Sequence, residues 1–232
     1  MNRFKEIYFS EPLLEGIYDP SIFKGIFIAG GSGSGKSFIT GKVVPGHGFK
    51  IINSDILFER MMKKANLDLD LEKLNTKQLI KKDEIRARAK ELTLKTKNRF
   101  IKNHLGLVID GTGRDTTVIE LQKRRLESNG YDTFMIFVNT SLEVALERNA
   151  NRLRKLPEDM IKKFWKDTQK NIGRYQNMFG PSNFLIIDNN HVDEKILNKV
   201  WKLISKFEKK PIQNPIAKNF IEADKITRGI KQ

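Results

Sequence analysis

Glycines 30, 31, 33 and 35 alternate with Ser32 and Ser34 and lead into Lys36, Ser37 and Phe38. Gly30, Gly35, Lys36 and Ser37 complete the pattern G-x-x-x-x-G-K-[ST], with an apolar run before it and a helical start after it. The residue types dictate the chemistry. Glycines let the backbone curl so that its N–H groups point inward at anionic oxygens. The helix that follows adds positive potential at its first turn. A lysine at position 36 reaches the outer phosphates of a nucleoside triphosphate, and the Ser37 hydroxyl offers an oxygen ligand to Mg²⁺. Residues 30–38 are therefore the candidate nucleotide-binding loop.

Three further groups have types suited to the same reaction. Asp110 ends the apolar run "LVID", where a carboxylate can hold Mg²⁺ through water. Asp55 follows "FKIIN", and a carboxylate beyond the end of a strand can orient an acceptor hydroxyl and take its proton. The competing role there is a helix cap, which Ser54 or Asp55 could supply. Arg148, Arg152 and Arg154 cluster before Pro157. Arg148 and Arg152 are four apart, so a helix places them on one face. A mobile arginine closing over a migrating phosphoryl group would neutralise its charge, and Arg152 is the best placed.

The elements that must position these groups are legible as apolar runs separated by helical patterns. Strands are expected in "IFKGIFIA" (22–29), "FKIIN" (49–53), "LGLVIDG" (105–111), "YDTFMIFVN" (131–139) and "NFLIIDN" (183–189). Such runs suit a mainly parallel α/β sheet covered on both faces. Asp115 is a candidate cap for the helix that closes at Gly130, and Thr140 with Glu143 has capping-box spacing. Residues 54–104 are too long for one crossover and predict two or three inserted helices carrying Leu79, Ile85, Leu92 and Ile101. Residues 157–179 predict one helix with an apolar stripe from Ile161 to Phe179. From Lys209 onward the pattern fades, which suggests a loosely docked or disordered tail. The expected organisation is an N-terminal arm (1–21), a core domain (22–208) with the insert at 54–104 and a lid at 148–157, and a basic tail (209–232).

The formal net charge of +15 is unevenly spread. Residues 60–104 hold fourteen basic and six acidic side chains, and residues 148–178 hold nine and three, whereas 1–59 balance at six and six. Either composition bias or a polyanionic partner accounts for this. There is no cysteine, no apolar run long enough for a bilayer and no leader-like start, which fits a cytoplasmic protein. His47, His104 and His191 lie far apart without ligand spacing.

The phosphate loop, "INSD", "VIDGTGR" and "RNANRLRKLP" occur in the order used by P-loop kinases of the polynucleotide kinase and zeta-toxin group, which residues 22–190 resemble. The chain also looks like small phage-encoded nucleic-acid kinases. The resemblance implies a three-layer P-loop kinase sandwich with a five-stranded sheet. It implies Asp55 as general base, Arg152 as lid arginine and Asp110 as the Mg²⁺ aspartate. Arg148 would contact ATP. The arginine that usually follows the base is displaced, Arg60 being nearest, and "DGTGRD" replaces an Asn/Thr-rich loop. Arg60, Thr112, Arg114 and Arg154 are the candidate acceptor contacts. The charge map favours an ATP- and Mg²⁺-dependent kinase acting on a nucleic-acid hydroxyl, either a 5′-OH or a hydroxymethylated base. A small-molecule kinase acting on a nucleotide, nucleoside or sugar nucleotide is the alternative, and a non-kinase ATPase or nucleotide-binding module the third. ATP is favoured over GTP because no Asn-Lys-x-Asp motif is present.

Overall fold

The computed structural model describes residues 16–70, 73–152, 155–191 and 193–229. Its strands are β1 (Lys24–Ala29), β2 (Lys50–Ile52), β3 (Leu107–Asp110), β4 (Asp132–Asn139) and β5 (Phe184–Asp188). All pair in parallel, in the order β2-β3-β1-β4-β5. The helices are α1 (Lys36–Val43), α2 (Ser54–Lys64), α3 (Thr76–Lys102), α4 (Thr116–Glu127), α5 (Leu142–Ala150), α6 (Glu158–Gln169), α7 (Ile172–Phe179), α8 (Glu194–Lys209) and α9 (Pro215–Thr227).

Alternation along the strands explains their unbroken apolar character. Ile26, Ile28, Phe134, Ile136 and Val138 face one side and pack on Ile39 and Val43 of α1 and on Val200, Ile204 and Phe207 of α8. Phe27, Ala29, Met135 and Phe137 face the other side and meet Ile119 and Leu126 of α4 and Tyr175 and Phe179 of α7. Successive side chains on a strand point to opposite faces, so a sheet covered twice needs apolar residues at both parities. The insert builds a small core of its own: Phe58 and Met62 of α2 meet Ile85 and Ala89 of α3, with Leu74 between. Two helices, α2 and α3, account for the described part of the insert. No described helix is long and apolar enough to cross a membrane.

Several local expectations are corrected. Residues 157–179 form two helices, because the chain turns at Lys170–Asn171 and the buried Asn171 carboxamide bonds the carbonyls of Gly113 and Arg114. The cap of α2 is Asn53, whose side chain accepts the Asp55 N–H at 2.7 Å, rather than Ser54 or Asp55. Ser141 caps α5 in place of Thr140, whose hydroxyl donates to Asn190. Asp115 does cap α4. The tail is not loose over its described length: α9 is capped by Asn214, buries Ala217, and sets Phe220 against Phe23 and His104. Its approach is fixed by Asp132, which accepts the N–H groups of Gln213 and Asn214 while pairing at 2.9 Å with the buried Lys24. Residues 1–15 of the expected N-terminal arm lie outside the described residues.

Candidate active site

The phosphate loop runs from β1 into α1. The N-cap of α1 is Gly35 in the left-handed region, with no side-chain capping bond and no acidic residue in the first turn. The helix therefore begins with backbone N–H donors that no capping side chain takes up, the arrangement that receives an anion. Two glycines are required by contact as well as by backbone angle. A Cβ at Gly33 (φ +80°) would lie 2.5 Å from the Ala145 carbonyl oxygen, and one at Gly35 (φ +86°) 2.2 Å from the Asn189 carboxamide nitrogen. The loop is thus seated directly on α5 and on the turn after β5. Asn189 donates to the Ser34 carbonyl at 2.7 Å, and Arg148 spans from the Gly33 carbonyl to those of Asn189 and Asn190.

Lys36 folds back over the loop and donates to the carbonyls of Gly30 (2.7 Å) and Gly31 (2.9 Å). Burial pulls its ammonium down to about 8; Asp110 and Asp55 counter this, and Arg152 adds to it. That mutual influence brings four separately predicted side chains into one electrostatic neighbourhood. The Asp110 carboxyl is raised, chiefly by burial, against the favourable Lys36 charge and a 2.6 Å hydrogen bond from Asn53. Asn53 is bifunctional, since its oxygen caps the helix that carries Asp55 while its nitrogen holds Asp110.

Asp55 stands in the first turn of α2 and is ion-paired with Arg86 of α3. The Arg86 guanidinium also lies over the Phe58 ring, 4.9 Å from its centroid. Arg60, the nearest arginine to Asp55 in the sequence, is instead exposed on α2. Helix α5 ends at Ala150, inside the segment expected as a lid, so Arg148 is helical and Arg152 lies in the turn beyond. Arg152 reaches back to the Ser32 hydroxyl at 3.3 Å. Buried Asn149 ties this segment to Leu156 with two bonds, from its nitrogen to the carbonyl and from the Leu156 N–H to its oxygen. Arg154 lies outside the described residues.

The loop after β3 is exposed at Thr112 and Arg114. Arg114 stacks on Phe164 of α6 at 3.6 Å and bonds the Thr112 hydroxyl. From below, Tyr175 and Asn171 hold the Gly113 carbonyl, and Thr168 bonds that of Thr112. Helix α6 is tied in turn to the end of β4 through Trp165 to the Thr140 carbonyl and Gln169 to Asn139. Phe38 sits exposed on α1. Asn53, Arg86, Asn149, Asn171, Tyr175 and Asn189 were all missed by sequence reasoning as site residues. Asn53, inside "INSD", and Asn149, inside "RNANRLRKLP", stood within motifs that could have drawn attention to them.

Ser37 and Asp110 suit a Mg²⁺ ion. The ion takes few protein ligands and keeps several waters, and a desolvated carboxylate beside the phosphate loop gains from a cation. Among the described residues there is no cluster of three or more His, Cys, Asp or Glu that would form a fully protein-ligated site.

A five-stranded parallel sheet in the order 2-3-1-4-5, with a phosphate loop after its central strand and a helical insert after the second, is the fold of the P-loop kinases. The chain belongs to the AAA domain family, AAA_17, whose model matches residues 29–164. No curated protein matches it. Among solved structures it is similar to an inferred kinase from Chloroflexus aurantiacus, at 14% identity and a TM-score of 0.55 over 79% of this chain and 97% of that one. It is also similar to a chain of the PezAT toxin–antitoxin system of Streptococcus pneumoniae, at 14% identity and 0.51 over 81% and 88%. A gluconokinase from Sinorhizobium meliloti aligns at 14% identity and 0.49 over 81% and 95%. Identities at this level speak for the fold alone.

Proposed function

We propose that this chain is an ATP-dependent kinase that phosphorylates a hydroxyl of a small molecule. The carrying observation is the Asp55–Arg86 pair, set within electrostatic reach of Lys36 and Asp110. One carboxylate and one guanidinium at the mouth of a phosphate loop suit a single compact polar acceptor. Asp55 would orient its hydroxyl and accept the proton, while Arg86 fixes the carboxylate. Lys36 and Arg152 would stabilise the charge spread over the transferred phosphoryl group. Mg²⁺, held by Ser37 and Asp110, would neutralise charge on the outer phosphates. Arg148 and Asn189 hold the loop in its receiving shape. Thr112 and Arg114 border the acceptor side.

The insert's charge, which suggested a nucleic-acid acceptor, has another disposition in space. Lys81 pairs with Glu84, Lys82 with Asp83, and Arg88 and Lys95 with Glu91, all along α3 itself. Such pairs offset part of the helix's charge locally, although Lys77, Lys90, Arg99 and Lys102 of α3 stay exposed without an ion pair among the described residues, so the charge of the insert does not by itself single out a polymer. The compact Asp55–Arg86 pair supports the small-molecule alternative over a nucleic-acid acceptor.

The test is γ-labelled ATP offered with three acceptor pools: nucleosides with nucleotides and sugar nucleotides, 5′-hydroxyl oligonucleotides, and hydroxymethylated DNA. Label should move to the first pool. Transfer only to a polymer would overturn the small-molecule reading, and release of inorganic phosphate alone would make the protein an ATPase.

A further inference from the structure

We infer that the outer face of α8 is a docking surface for single-stranded nucleic acid, separate from the site that would carry out phosphoryl transfer. Helix α8 buries Val200, Ile204 and Phe207 against the sheet. On its opposite side Lys195, Lys199, Lys202 and Lys206 recur at helical spacing and are all exposed. Eleven residue steps at 1.5 Å each, from Lys195 to Lys206, make a basic stripe about 16 Å long. Lys195, Lys199 and Lys202 line a shallow groove together with Asn198 and Leu203. These four make no ion pair among the described residues, in contrast to Lys81, Lys82 and Lys95 of α3. Six lysines stand between 194 and 210 against two acids, and one of those acids, Glu208, is engaged by His47 at 2.8 Å.

An aromatic platform flanks the stripe. Trp201 is 49% exposed although it belongs to a well-packed helix. One side of its indole rests on the His47 ring, with centroids 5.1 Å apart, and the Glu208 carboxylate fixes that imidazole in turn. A half-exposed indole held against a second ring, beside unpaired lysines, is what an unpaired base and its phosphates require: stacking for the one, charge for the other. A duplex hides its base faces and could use only the lysines. A lipid surface would need an apolar face to insert, and the apolar face of α8 is spent on the core.

The placement keeps this surface apart from the transfer chemistry. Helix α8 turns Val200, Ile204 and Phe207 toward the sheet and α1, whose first residue is Lys36, while its four lysines lie exposed on the side turned away from both. Nucleic acid bound here would be a partner of the protein and would not need to be its phosphate acceptor.

The experiment measures binding of a short fluorescent single-stranded oligonucleotide to the full chain without ATP, from low to moderate salt, while following tryptophan emission. Four phosphate contacts give a log–log salt slope of about −3. The triple variant Lys199→Glu, Lys202→Glu, Lys206→Glu should lose at least tenfold in affinity at low salt, with a slope no steeper than about −1 on the same relation. Emission should be quenched on binding by the wild type and unquenched in Trp201→Phe. The variant Lys81→Glu, Arg88→Glu on α3 should bind as the wild type does. No binding at low salt, or binding lost with the α3 reversals but kept with those on α8, would overturn the inference. So would equal affinity for duplex without quenching, or preferential binding to phosphatidylserine vesicles. None of these readouts uses phosphoryl transfer, so the surface and the kinase reading stand or fall separately.

Discussion

Removing Arg86 should damage turnover far more than stability. Two unit charges about 4 Å apart attract by roughly 4 kcal/mol at an effective dielectric constant near 20. The Arg86 and Asp55 side chains, however, are 31% and 46% exposed. Solvent screening and the entropy of holding two side chains reduce such pairs to about 1 kcal/mol or less. Arg86→Ala should therefore lower Tm by no more than about 2–4 °C in a chain of this size. The kinetic effect is different in kind. If Asp55 is the base, Asp55→Asn should cost roughly 10²–10⁴ in kcat. A carboxylate displaced by about 1 Å costs on the order of 10², so Arg86→Ala should lose about a hundredfold. Arg86→Lys keeps the charge but not the flat guanidinium over Phe58, and should recover only part of that loss. Both residues act through the same oxygen, so the double variant should be no worse than Asp55→Asn within about threefold. The assay is steady-state transfer from labelled ATP, with a thermal melt on each variant. Multiplicative losses in the double variant would refute the reasoning. A raised KM for the acceptor at unchanged kcat would make Arg86 a plain binding contact.

Lys36→Ala should abolish transfer, yet the nucleotide-free protein should melt a few degrees higher at pH 7. Burial lowers the Lys36 pKa from 10.5 to about 8, so its penalty on folding is complete below about pH 8 and fades as pH rises toward 10.5; melts of both proteins at pH 7 and pH 10 should show the gap closing. Asp110→Asn should weaken apparent Mg²⁺ affinity at least tenfold in a Mg²⁺ titration of turnover without lowering Tm, because burial already disfavours the charged carboxylate; an unchanged titration would remove Asp110 from the metal site. Asp132→Ala strands the buried Lys24 charge and frees the Gln213 and Asn214 N–H groups. Its expected cost is about 3–5 kcal/mol by urea denaturation, with early hydrogen exchange in α9, and adding Lys24→Met should restore much of the loss; a cost under about 1 kcal/mol would show that the latch is unimportant.

The sequence by itself determined whatever a few contiguous residues encode. The phosphate loop was legible because its glycines, lysine and serine are neighbours whose backbone demands are local. The five strands were legible because a sheet buried on both faces writes unbroken apolar runs. Asp115 declared itself as a cap for the same local reason, and the order of the four motifs pointed to the P-loop kinase fold. The tertiary structure decided what depends on which distant elements meet. Arg86 reaches Asp55 only because α2 and α3 fold against each other over their own small core. Asn189 and Arg148 support the phosphate loop only because β5 and α5 end beside it. The break at Lys170–Asn171 was hidden, because an apolar stripe continues in phase through it and the loop that captures Asn171 lies 57 residues away. The tail looked featureless because its docking rests on backbone N–H groups meeting Asp132, and those groups carry no sequence signature. Charge was the least legible of all. A lysine count is the same whether lysines pair, as Lys81, Lys82 and Lys95 do on α3, or stand unpaired, as four do on α8, and only the position of the nearest carboxylate distinguishes the two.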